Sequence, residues 1–147
     1  MQKSVEESVP LNLHASCVAL DETSGLLITG PSGCGKSTLA LTLMGFGAHL
    51  VSDDRTGLRR EGETLVATAP ATISGMIEAR GVGLLSATPL SHTRIRALVD
   101  LSQSETDRLP PVREKALIGI SIPMFFRVDG PGFAPALIQW LKGGRVA

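Results

Sequence analysis

The sequence predicts a single α/β domain with a strand-rich central sheet, and three observations carry that prediction. A glycine-rich segment, Gly30 to Ser37, is preceded by a short apolar run and followed by apolar residues at helical spacing. Short apolar runs of strand length then recur between turn-forming residues, and a second helical pattern closes the chain. The length of 147 residues suits one core, at about 100–200 residues per domain. Hydrophobic residues make up 43% and charged residues 19%, a balance that supports a packed interior and argues against disorder.

Residues 1–10 read as a frayed lead-in ending at Pro10, within one domain spanning 1–147. Leu11–His14 and Ser16–Leu20 are apolar enough for short strands, and Asp21–Gly25 has turn composition leading into a strand at Leu26–Thr29. Ser37–Met44 reads as a helix, with Leu39, Leu43 and Ala40, Met44 at helical spacing, stopped by Gly45 and Gly47. Ala48–Val51 is then a buried strand parallel to Leu26–Thr29, because a helix intervenes. Leu65–Ala67 is expected in a small meander and Ile73–Glu78 in a helical turn, followed by a tight Arg80–Gly83 and a strand at Leu84–Ala87. Ile95–Leu101 is a strand, Ser102–Val112 a polar loop, and Leu117–Ile122 a strand stopped by Pro123. Asp129–Phe133 is a turn, and Ala134–Lys142 a helix ended by Gly143 and Gly144.

Composition narrows the function classes. Lys+Arg and Asp+Glu are both 14, so no global field recruits nucleic acid or an anionic membrane. Four Phe, one Trp and no Tyr leave little for base-stacking platforms. No run of about 18 apolar residues exists, and the first ten residues are polar and acidic, so a soluble cytoplasmic protein with no membrane partner is expected. Cys17 and Cys34 are too few for a disulfide framework or a zinc site and read as reduced thiols.

Gly30, Pro31, Ser32, Gly33, Cys34, Gly35, Lys36 and Ser37 fit G-x-x-x-x-G-K-S/T in the context that pattern requires, strand before and helix after. Glycines let successive backbone N–H groups turn inward as a nest, and the helix N-terminus adds its dipole. Lys36 neutralises β and γ oxygens, and Ser37 is placed to ligate Mg²⁺. Nucleoside triphosphate binding follows, with ATP and Mg²⁺ as expected cofactors and Thr38 as the next residue of the cradle. The guanine-specifying N-K-x-D is absent, which excludes a switch GTPase. The loop does not settle the phosphoryl acceptor, so a small-metabolite kinase and a non-catalytic ATP-binding sensor stand as alternatives to a protein kinase.

Asp53 and Asp54 end the strand after the P-loop helix, the sheet edge where α/β folds place ligands. Successive strand side chains face opposite sides, so both can approach one ligand only if the backbone turns there.

At these residues the chain resembles the HPr kinase/phosphorylases, bacterial protein kinases built on a P-loop. Leu13-His14-Ala15 is similar to the family's L/M-H-G, and Leu27 through Ser37 to its L-I-T-G-x-S-G-x-G-K-S. Leu50 to Asp54 resembles L-I/V-x-D-D, Glu78 to Gly83 the E-I/V-R-G-L/I/V-G signature, and Asp107-Arg108-Leu109 the D-R-L loop. The resemblance runs in the family's order from about His14 to Pro123. It implies the HPr kinase/PEP-carboxykinase-like nucleotide-binding fold and serine phosphorylation of HPr or an HPr-like phosphocarrier of a phosphotransferase system. Phosphorolysis of the phosphoserine product is implied with it. Asp53 is implied as general base, returning its proton in the reverse direction, with His14 orienting it. Ser37 and Glu78 are the implied magnesium pair, with Asp54 an acid on the metal's side or one that supports its ligands. Arg80 and Arg108 are the implied guanidinium donors to the transferring phosphoryl.

The chain departs from the family in four places. Its length matches a short form without the family's extra N-terminal domain. Thr38 replaces the acid that often follows the Walker serine, and Ala15 replaces glycine. After Pro123 the family's V-K/R-x-G-R-N, tied to hexamer contacts and target handling, gives way to Met124-Phe125-Phe126-Arg127-Val128-Asp129. A homo-oligomer is therefore an open expectation, and no nucleic-acid partner is expected. His49 and His92 match nothing in the family and read as structural or surface residues.

Overall fold

The computed structural model describes residues 11–147; the lead-in expected at 1–10 lies outside them. In chain order the strands are β1 (Leu11–Leu13), β2 (Ala15–Ala19), β3 (Gly25–Thr29), β4 (His49–Ser52), β5 (Thr56–Glu61), β6 (Thr64–Thr68), β7 (Met76–Ala79), β8 (Gly83–Ser86), β9 (Thr93–Ser104), β10 (Glu114–Leu117) and β11 (Ile120–Arg127). Helix α1 covers Lys36–Gly45 and helix α2 covers Phe133–Gly143. Nine strands form one curled sheet, with the path β1-β5-β6-β9-β3-β2-β4 and with β11 alongside β9 and β10 beyond it; β7 and β8 form a separate hairpin. Among the described residues no helix is long and apolar enough to cross a membrane.

The central strands are buried on both faces, which is why they read as continuous apolar runs rather than alternating ones. Val18, Leu26, Ile28 and Val99 face α1 and α2, packing with Ala40, Leu43, Leu137 and Leu141. Cys17, Leu27 and Leu98 face the other way, into a core closed by Leu58, Leu65 and Ile122. Two adjacent clusters thus share β2, β3 and β9, and the β3 carboxyl end is held from both sides just where the glycine-rich segment leaves it. Burial pushes the Cys17 thiol far above its ordinary value, which leaves it inert.

β4 runs in the same direction as β3, as the intervening helix requires, but β2 lies between them and is antiparallel to both. The strand directly parallel to β3 is β9. Thr56–Glu61 and Thr64–Thr68 form the expected meander as a hairpin about Gly62.

Four expectations are corrected. Ile73–Glu78 is not a helical turn: a short 3-10 turn at Ala71–Ile73 ends, Gly75 takes φ +79°, and Met76–Ala79 pairs with Gly83–Ser86 around the Arg80–Val82 turn. Leu117–Ile122 is not one strand, because Ile118 (φ +49°) and Gly119 (φ +79°) make a two-residue hairpin turn between β10 and β11. Pro123 does not stop β11, which continues to Arg127. It sits opposite Glu114 at the end of one ladder and just before pairing with β9 starts at Met124, where no ladder bond is asked of its nitrogen. The loop expected from Ser102 begins only after Ser104, the end of β9.

Candidate active site

Helix α1 begins without a side-chain cap: its N-cap is Gly35, at φ +106°, with open space where a β-carbon would stand. The first-turn N–H groups are therefore available to an anion. Gly30, at φ +149°, is required sterically as well, since a β-carbon there would lie 2.5 Å from the Cys34 sulfur.

Lys36 is 5% exposed and folds back over the loop, its Nζ donating to the carbonyls of Gly30 at 3.0 Å and Pro31 at 3.3 Å. The Asp54 carboxylate lies 3.9 Å from the same ammonium. A buried ammonium needs such partners, and they hold its charge at the mouth of the cradle.

The two aspartates are held in different ways. Asp53 is 9% exposed, and its Oδ1 accepts the hydroxyls of Ser37 at 2.7 Å and Ser16 at 2.8 Å. Its Oδ2 accepts the backbone N–H of Glu78 at 3.2 Å. Asp54 is 60% exposed and pairs with His14 Nε2 at 2.9 Å. Between them the chain reverses in a three-residue turn, closed by the Arg55 N–H on the Asp53 carbonyl at 2.8 Å, with Asp54 at φ +69°. A non-glycine residue there costs on the order of 1–3 kcal/mol and persists where surrounding contacts over-determine it. The turn lets these two adjacent residues, just past the end of β4, reach one cavity.

That cavity has a volume of about 720 Å³. Ser32 to Leu39, Asp53, Asp54, Glu78 and Arg80 line one part, and Arg127 to Pro131 with Phe133 line another. The size falls in the range of small-ligand sites, about 300–1,000 Å³. The cradle, the uncapped helix start and Lys36 fit the phosphates of a nucleotide. For Mg²⁺ the fit is also good: Ser37 and Asp53 are in contact, and Glu78 lines the same cavity. Among the described residues no three His, Cys, Asp or Glu side chains gather into a cage. Mg²⁺ needs none, since it takes one or two protein oxygens and completes its shell with phosphate and water.

Of the residues singled out in the sequence, Ser32 to Thr38, Asp53, Asp54, Glu78 and Arg80 come together in the cavity. Gly30 and Pro31 are tied to it through their carbonyls on Lys36, and His14 through its contact with Asp54. Arg108 is not brought in: it is exposed on the loop after β9, outside the cavity lining. Sequence reasoning missed Ser16 and the Arg127–Phe133 wall. Ser16 left a faint trace, a hydroxyl in an otherwise apolar run; Arg127 left none, because Pro123 masked the strand that carries it.

Residues 8–124 match the family described as the HPr Serine kinase C-terminal domain. The chain belongs to that family. It is 37% identical over 127 residues to the HPr kinase/phosphorylase of Geobacillus thermodenitrificans, covering 78% of this chain and 41% of that protein. With the HPr kinase/phosphorylase of Geobacillus kaustophilus it shares 42% over 106 residues, 64% of this chain and 34% of that one. The chain thus spans about two fifths or less of the length of these curated relatives. The solved structure of the Hpr(Ser) kinase/phosphatase from Coxiella burnetii superposes with a TM-score of 0.74 at 28% identity, covering 90% of this chain and 88% of that one. The α/β, strand-rich fold expected from the resemblance is therefore the fold of this family member.

Proposed function

We propose that this chain is an ATP- and Mg²⁺-dependent protein serine kinase whose substrate is HPr or an HPr-like phosphocarrier of a phosphotransferase system. One observation carries the reading: a P-loop cradle and two adjacent carboxylates, one buried on the cradle serine and one open beside a histidine, line a single cavity. An occupancy sensor has no use for the second carboxylate, and the relatives named above are HPr kinases.

In this reading the α1 N-terminus and Lys36 hold the triphosphate, while Ser37, Asp53 and Glu78 hold the metal, directly or through water. Bound Mg·ATP supplies the transferable phosphoryl group and neutralises charge on its oxygens. Asp54 takes the proton of the target serine hydroxyl as its oxygen forms the new P–O bond and the bond to the leaving diphosphate oxygen breaks. His14 orients Asp54, and Arg80 donates to the spreading negative charge. This assigns the base to Asp54 rather than to Asp53. Three donors already occupy the Asp53 oxygens, whereas Asp54 has an exposed carboxylate. If the phosphoserine product is phosphorolysed, the protonated Asp54 returns its proton to the leaving serine oxygen, as reversibility demands.

Incubating the purified chain with γ-labelled ATP, Mg²⁺ and HPr-like carriers tests the reading. Label on a carrier serine, lost when that serine is alanine, is the expected result. Transfer only to small metabolites, or nucleotide binding with no transfer to any carrier, contradicts it.

A further inference from the structure

Ser16 lies in β2, a strand whose five residues are all buried, and is itself 0% exposed. A hydroxyl placed there is costly unless bonded, and this one is bonded twice. It donates to the Asp53 carboxylate at 2.8 Å and accepts the backbone N–H of Asp54 at 3.1 Å. One side chain thus touches the carboxylate of the first aspartate and the backbone of the second. Asp54 stands at φ +69°, where residues other than glycine are uncommon, so its conformation depends on what anchors it. The neighbouring hydroxyls do different work: Ser52 bonds the Arg55 carbonyl, and Thr56 bonds the Ala15 carbonyl at 2.8 Å, and neither of these bonds reaches an aspartate.

We infer that Ser16 is a positioning residue for the phosphotransfer reaction: its single hydroxyl keeps the Asp53 carboxylate on Ser37 and locks the left-handed turn that presents Asp54 to the cavity. The catalytic half of this inference rests on the kinase reading above; the locking of the turn does not. Removing the hydroxyl frees the Asp54 N–H and takes one of three donors from Asp53, while the bonds of Lys36 to the Gly30 and Pro31 carbonyls do not involve it.

The test combines amide hydrogen exchange with kinetics on Ser16→Ala and Ser16→Thr. In Ser16→Ala, exchange at the Asp54 amide should rise by about 10-fold or more over the flanking β2 and β4 amides, since its hydrogen bond is gone. Turnover should fall by about 10–100-fold, while metal-free affinity for a fluorescent ATP analogue and KM for the carrier stay within about 3-fold. Ser16→Thr, which keeps a hydroxyl, should restore most of the turnover. On an Asp54→Asn background at saturating Mg²⁺, Ser16→Ala should cost less than about 3-fold, because only its effect through Asp53 and the metal is then left. Should Ser16→Ala not fold, Ser16→Cys, of similar volume and weak hydrogen bonding, supplies the same comparison. Unchanged exchange at Asp54, or a turnover loss that multiplies in full on the Asp54→Asn background, overturns the inference. Faster exchange in a protein that phosphorylates no carrier would sink the kinase reading and leave the locked turn standing.

Discussion

On the phosphate side of the cavity, Lys36 is 5% exposed with two carbonyl partners, and the Asp53 carboxylate accepts three hydrogen bonds. On the other side, Asp129 is 93% exposed, and its contact with Arg127 is 3.7 Å, too long for a hydrogen bond. Among the described residues, nothing hydrogen-bonds to Arg127 Nε. The first wall is already organised by its own hydrogen bonds, so under the proposed reaction its dipoles and charges would need little rearrangement. The second wall has groups to spare and few constraints. On the proposed function, chemistry belongs with the first wall, and adjustment to the nucleoside or target with the second. Substitutions should therefore have large, separable effects on the phosphate side and small ones beyond it.

The largest expected effect is that of Asp54→Asn, which keeps the shape and removes the base: turnover should fall by about 10²–10⁴-fold in a steady-state assay. Lys36→Ala comes next. Loss of a charge-assisted phosphate contact costs about 1.5–3 kcal/mol, so the nucleotide dissociation constant measured by calorimetry should rise about 10- to 150-fold. Glu78→Gln should displace the Mg²⁺ midpoint of activity by several-fold while metal-free nucleotide affinity stays level; an unaltered magnesium titration would remove Glu78 from the metal side. Arg108→Ala, beyond the cavity, should change nucleotide affinity by less than about 2-fold, and a larger loss would show that the loop closes onto the site.

The smallest effect concerns stability. The Arg113 guanidinium, bonded to Glu105 through Nε and an Nη at 3.0 Å each, holds the Glu105 carboxyl below its ordinary value of 4.5. A lowered folded value stabilises the fold above the unfolded value, and the contribution is lost as pH falls through the lowered one. The melting temperatures of wild type and Arg113→Gln should differ at neutral pH and converge as pH drops below about 4.5. Equal separation at pH 7 and pH 3 would show that Arg113 acts through packing, for instance on the Phe126 ring 4.4 Å away.

The same contrast governs what could be read in the sequence. The phosphate cradle was legible because its chemistry is contiguous: strand, glycine-rich turn, lysine and serine follow one another from Leu26 to Ser37. The acidic pair was legible by position, but the difference between the settings of its two carboxylates was not, because it depends on Ser16, 37 residues from Asp53. It depends equally on a turn at Asp54 that no glycine announces. Ile77 sits in a strand rather than a helical turn because its partner, Leu85, lies across a hairpin that local propensity does not see. Ile118 hides a hairpin turn because a β-branched residue at positive φ is a poor signal for one. Arg108 matched a family motif, yet a motif carries residue types and not the path of an exposed loop.

The division between the two aspartates is tested most directly by single-turnover phosphorylation of the carrier with Asp53→Asn and Asp54→Asn side by side, each at saturating nucleotide and across a Mg²⁺ titration. Asp54→Asn should bind Mg·ATP nearly as wild type does and lose the chemical step at every Mg²⁺ concentration. Asp53→Asn should need several-fold more Mg²⁺ and, once saturated, recover to within about 10-fold of the wild-type rate. The reverse pattern, with Asp54→Asn active and Asp53→Asn dead at saturating Mg²⁺, would contradict the assignment.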